Sequence, residues 1–406
     1  MKKKRYIRKA LAIILAASII SVLQIAFFPA VRAEEKNNEK EITDELINEQ
    51  SNSNDIKNLE HQINKHAEND FKELVGGFDP QKIINETAKG KFEFSVTGFM
   101  NRSLQYLFKE IYINIDILIK LIILIILCAI LKNLQTSFLS ESVGELAFYA
   151  CYIVIVSILI AGFNTAMQLG KEIIDSMVAF MHATIPVLIT LLISGGSISS
   201  AGIFQPILIT IVEVSATIIK NTLLPLIFLA TVLSIVDNIS DKVQISRLAG
   251  LLKQIGAWIM GIVLTVFIAV VSIQGTLGAV VDGVTSKTAK FAIGAFIPVA
   301  GKYLADAADA VIGCTLLIKN AAGAAAMLGV LAICVVPLLK IVAIMILYRL
   351  ACAIVEPVAE KRITNCISSI AGSLTYIIGV VASVAFMFLI SITAIISAGN
   401  VTAMIR

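Results

Sequence analysis

Charge is scarce in this chain: 15% of its 406 residues are charged, 57% are hydrophobic, and the mean hydropathy is +0.88. A soluble domain of that length needs far more polar surface, so a water-soluble globular protein is excluded. Histidine is limited to His61, His66 and His182. The first two stand five apart in a polar stretch, a poor metal pair, and His182 stands alone as a hydrogen-bonding residue. The six cysteines (128, 151, 314, 334, 352 and 366) form no C-x-x-C pair and sit in or beside apolar runs, as small buried hydrophobes do. After residue 34 there is no basic cluster interleaved with aromatics, which excludes nucleic acid as a partner. Enzyme signatures are lacking too. Gly283 to Thr288 resembles a phosphate loop, but Ser286 stands where glycine is required. Ser194 to Ser200 carries no nucleophile elbow. No catalysis, metal or cofactor is expected.

What is present is a series of apolar runs of helical length, and these predict an all-α, polytopic membrane protein. Residues 1–33 read as a signal peptide: a cationic start (Lys2 to Arg5), an apolar core to Phe28, and cleavage after Ala33. Residues 34–105 form a small acidic extracytoplasmic region, with 15 Asp+Glu against 8 Lys+Arg between 34 and 100. Ile56, Leu59 and Ile63 keep helical spacing, as do Phe71, Leu74 and Val75. Gly76-Gly77 ends one helix and Asp79-Pro80 starts the next. Too few large apolar residues occur here for an independent core, so these helices are expected to fold on a partner or on the membrane portion.

The membrane domain, 106–406, is expected to hold seven to nine helices, with apolar segments at 111–131, 146–166, 176–193, 203–219, 222–236, 255–274, 322–339, 341–358 and 370–397. Lys220-Asn221 alone separates the fourth from the fifth, which predicts a broken or re-entrant pair. The stretch 272–301 carries Asp282, Lys287, Lys290 and Pro298 among Ala, Gly and Phe. Lipid satisfies neither such charges nor a proline-freed carbonyl, so 283–301 is expected to be re-entrant or interfacial, shielded by protein or lining water. Ile297-Pro298-Val299 aligns with Ile185-Pro186-Val187 and sets 258–274 against 146–162, a weak internal duplication.

Ionisable residues inside apolar runs carry the strongest functional signal. Lys120 lies about nine residues into its segment. Glu213 and Arg349 are candidates for a cavity or for pairing between subunits, against the plainer alternative of an ion pair within the bundle. Lys220, Lys340 and Glu356 stand near segment ends and are expected to snorkel.

Several strings are unusual for membrane helices: Ser272-Ile-Gln-Gly-Thr276, Asp282 to Phe291, Phe296-Ile-Pro-Val299, Leu317-Ile-Lys-Asn320, and Ile185-Pro-Val-Leu188 with Ser194-Gly-Gly196. With Gly76-Gly77-Phe78 and the ending Ser397 to Arg406, they make the whole chain resemble the stage III sporulation protein AE family of endospore-forming bacteria. The resemblance implies a multi-pass protein of the mother-cell membrane around the forespore. It implies membership of a channel or secretion-like assembly joining the two cells and needed for late forespore development. Ring-forming single-span subunits, a cytoplasmic ATPase, a forespore partner in the intermembrane space and further copies of the chain itself are the implied partners. A structural platform that recruits the rings without conducting cargo is the alternative role.

Overall fold

The computed structural model describes residues 47–405 apart from 67–68, 93, 139–140, 239–244 and 297–299. Within its helices, the side chains of 69, 134–138, 141–147, 275–281, 283–296, 300–309 and 401–405 are not described. Residues 1–33, read from sequence as a signal peptide, and Pro298 therefore lie outside the described residues. For Lys287 and Lys290 only the helical backbone is described. The fold is all-α, and no strand occurs among the described residues.

After a helical stretch at 47–51 come four shorter helices: α1 (Asn54–His66), α2 (Asn69–Val75), α3 (Pro80–Ala88) and α4 (Val96–Ile113). Gly76 and Gly77 take φ of +78° and +98°, the left-handed conformation that stops α2. Asp79 caps α3, its carboxylate accepting from the Gln81 N–H at 3.1 Å, with Pro80 opening the helix. The apolar stripes are buried as their spacing predicts: Ile56, Leu59, Ile63, Phe71 and Leu74 are all nearly inaccessible. They are buried against the membrane portion. Ile63 packs beside Gly329, and the His66 ring meets Phe180 edge-on at 6.3 Å. A Cβ at Gly329 would lie 2.7 Å from the Phe180 ring, so glycine is what lets α1 and the two long helices meet here.

The rest of the chain is α5 (Ile115–Phe138), α6 (Glu141–Ser194), α7 (Ile198–Ile218), α8 (Leu224–Asp237), α9 (Ser246–Phe296), α10 (Ala300–Val355) and α11 (Lys361–Ile405). Five helical stretches are long and apolar enough to cross a membrane, or six if α4 and α5, bent by 46° at Asn114, count as one. The protein is thus multi-pass. Apolar segments 146–166 and 176–193 fall on a single uninterrupted helix, α6, and 322–339 and 341–358 both fall on α10. The interiors of these helices hold Pro186 and Pro337, which the surrounding helices tolerate.

The expected break at Lys220-Asn221 is absent. α7 runs into α8 through one π-helical turn, Ile219–Leu223, where the Leu224 N–H donates to the Ile219 carbonyl. Pro225 has no N–H to continue the α ladder, and the wider turn absorbs that loss without a fold-back. Between α6 and α7 the chain does reverse, at Gly195-Gly196-Ser197, with Gly196 at φ +82°.

Candidate functional site

Among the described residues, four groups of polar side chains stand out within the apolar bundle. The first is a seam between the antiparallel helices α6 and α7. Asp175 and His182 lie two turns apart on α6, and Glu213 and Lys220 keep the same interval on α7 and the π turn. The His182 ring donates to the Glu213 carboxylate at 2.9 Å, and the Lys220 ammonium donates to both Asp175 oxygens at 2.6 and 2.8 Å. Lys220 thus has Asp175 as its partner across the helix pair. All four side chains remain between 37% and 58% exposed, so the seam lies on the outside of the single chain.

The second group lies at the α6–α7 reversal. Asp282 of α9 is buried at 2% exposure, and its two carboxylate oxygens accept from the Ser199 and Ser200 N–H groups at 2.8 and 3.0 Å. It satisfies orphan donors at the start of α7, since Ser197, the cap residue itself, makes no side-chain cap bond. Asp282 itself is thus enclosed by protein, while the side chains of 283–301 lie outside what the structure describes.

The third is Lys319 of α10, a fully buried ammonium that the sequence displays only within the string Leu317 to Asn320. It donates to the Ile396 carbonyl of α11 at 2.8 Å. Gly399 makes room for it, since a Cβ there would collide with Nζ. Its signal in the sequence is the run Ala321 to Ala326 that follows, where small residues bring backbones close enough to enclose a long side chain.

The fourth is Arg349. Its guanidinium donates to the Thr375 hydroxyl at 3.1 Å and lines a groove of about 360 Å³ between α10 and α11, with Glu356, Ser368 and Gly372 farther along. Lys120 is exposed on α5. Thus Asp282 acquires partners from a helix not adjacent to it in the chain, Glu213 and Arg349 meet neighbouring helices, and no two of these residues converge on one centre. No cluster of three or more His, Cys, Asp or Glu suited to a metal occurs among the described residues. The phosphate-loop lookalike, Gly283 to Thr288, is helical backbone within α9 and offers no loop to cradle a phosphate.

Residues 78–399 match the stage III sporulation protein AE family. The chain belongs to that family. It is 36% identical over 341 residues to stage III sporulation protein AE of Bacillus subtilis (strain 168), an alignment covering 83% of this chain and 86% of the relative. No solved structure matches it. The match to this sporulation family takes in all four polar groups. A sporulation-related role follows from the family, and the relative's name assigns no reaction.

Proposed function

We propose that this chain is the multi-span subunit of a channel or secretion-like assembly linking mother cell and forespore. It would reside in the mother-cell membrane, with its acidic N-terminal region in the space between the two cells. The observation that carries this reading is the outward-facing seam of His182–Glu213 and Asp175–Lys220 on otherwise apolar helices. Charges left half exposed on such helices call for water or for polar neighbours from other subunits, and both belong to a component of a conducting assembly. In this role the chain positions other stage III proteins, including an ATPase that supplies the energy, and itself hydrolyses nothing.

The platform alternative is favoured by one feature: both pairs are satisfied within the chain, so they require no passage. Replacing Glu213 by Gln together with Lys220 by Met, in a sporulating host, separates the two roles. For a conducting subunit, late forespore gene expression falls toward that of a strain lacking the chain, while the protein still co-purifies with its partners. Normal expression with intact co-purification would leave only the platform role.

A further inference from the structure

α6 has 54 residues and is about 80 Å long, more than twice the roughly 30 Å hydrocarbon core of a bilayer. Hydropathy does not say which part the membrane covers, because apolar residues run the whole length. α4 does. Val96, Met100, Leu104, Phe108 and Tyr112 form a stripe along it, each between 47% and 76% exposed. Its opposite face is bound to α2: the Arg102 guanidinium donates to the Leu74 carbonyl at 3.3 Å, and the Tyr106 hydroxyl donates to Asp70 at 2.8 Å. At Asn114 the chain turns by 46° into α5, whose exposed Ile119, Ile123, Leu127 and Ile130 continue the apolar surface. An amphipathic helix with a free apolar stripe, joined at an angle to a spanning helix, suits the membrane surface.

From this we infer that α4 lies in the plane of the membrane surface, its stripe sunk among lipid headgroups, and that the bilayer covers only the part of the bundle level with α5. Packing contacts set the levels. Lys132 near the far end of α5 sits 4.8 Å over the Phe148 ring, at the start of the described part of α6. Glu360, 3.2 Å from Lys132, and Arg362 stand at the same end. From Phe148 to Gly170, α6 rises about 33 Å with no charged residue, a close match to the hydrocarbon core. At the Gly170 level the other helices bring up interfacial residues. Ile377 beside Gly170 is next to Tyr376. Phe228 stacks on Phe163, which puts Lys220 of the preceding π turn near Lys171. Tyr348 bonds the Leu159 carbonyl, which sets Lys340 two turns higher on α10. Leu223 and Leu226 flank Gly256, close to Trp258, the only tryptophan of the chain and 66% exposed. A belt of Trp, Tyr and Lys is what a membrane–water boundary selects.

In this placement Lys120, five residues inside α5, reaches the same boundary. The seam stands beyond the hydrocarbon, Asp175–Lys220 nearest to it and His182–Glu213 about two turns farther out. The bundle above Gly170, with α1 to α3 wrapped on it, projects into water. The placement bears on the proposed role: it gives the half-exposed seam water from outside the bilayer, so the polar neighbours that role calls for would meet the seam in the aqueous space.

Depth-dependent fluorescence quenching of the full chain, reconstituted in vesicles of phosphatidylglycerol and phosphatidylethanolamine, tests it. The quencher is attached to the lipid either near the headgroup or near the chain end. Native Trp258 needs no substitution and should be quenched more by the headgroup-side probe. In a Trp258→Phe background, Phe108→Trp should behave likewise, Ile123→Trp should respond more to the chain-end probe, and Val214→Trp should respond to neither. Quenching of Val214→Trp by the chain-end probe would put the bilayer over the upper bundle and overturn the placement. Phe108→Trp silent to both probes in protein that elutes as the native chain does would show that protein, not lipid, covers α4.

Discussion

Among single residues, Asp282 and His66 illustrate how burial assigns a task to a polar group. Asp282 holds two backbone N–H groups that no other side chain caps, and a buried donor left unsatisfied costs about 1–3 kcal/mol. Asp282→Ala should therefore lower the unfolding free energy in detergent by about that amount, with Asp282→Asn losing less, because one amide oxygen remains to accept. His66 is different. Burial, and then the neighbouring Lys65, lowers its pKa from the ordinary 6.5, so docking of α1 favours the neutral ring. The unfolded pKa then exceeds the folded one. The contribution to docking is whole above pH 6.5 and is lost as pH falls below it. The protection of residues 54–66 against hydrogen exchange, taken relative to the intrinsic rate at each pH, should fall on acidification through that range, and His66→Gln should flatten the response.

Pairs of helices bring together what neither displays alone. In α6, Asp175 and His182 are two more polar residues of a mostly apolar helix; beside α7 they become half of a seam. Its bonds are short, yet its members are half exposed, and such pairs contribute little to stability, about 0.2–1 kcal/mol. A double-mutant cycle of Asp175→Asn and Lys220→Met should return a coupling energy in that range. A coupling of several kcal/mol would mean that the pair is enclosed in the assembled protein. The π turn at Ile219–Leu223 matters for the same pair, because it sets the rotation of Lys220 on its helix axis. The sequence shows the cause, Pro225, but a proline in an apolar run is compatible with a kink, a break or a wide turn. Which one forms depends on the helices packed alongside.

At the scale of the molecule, the described helices of the acidic N-terminal region and the membrane bundle form one packed body, since α1 and α3 bury their stripes on α6 and α10. The signal reading adds a prediction at this scale: in a sporulating host the mature chain should begin at Glu34. N-terminal sequencing that finds residues 1–33 retained would make them an additional membrane anchor.

Local chemistry made much of this protein legible before any folding. Scarce charge and repeated apolar runs determine an all-α membrane class. The glycine pair at 76–77 and Asp79-Pro80 place helix ends, and the unusual strings around Asp282 and Lys319 point to the family that the comparisons establish. Each of these depends on residues close in the chain. Tertiary structure alone decided that neighbouring apolar segments fuse into helices longer than a bilayer is thick. It also decided which charge meets which. His182 finds Glu213 across 31 positions, Lys220 finds Asp175 across 45, and Asp282 reaches Ser199 across 83. Those encounters depend on the register and rotation of whole helices against one another. Register is set by the packing of many side chains at once, so no one stretch of the sequence encodes it.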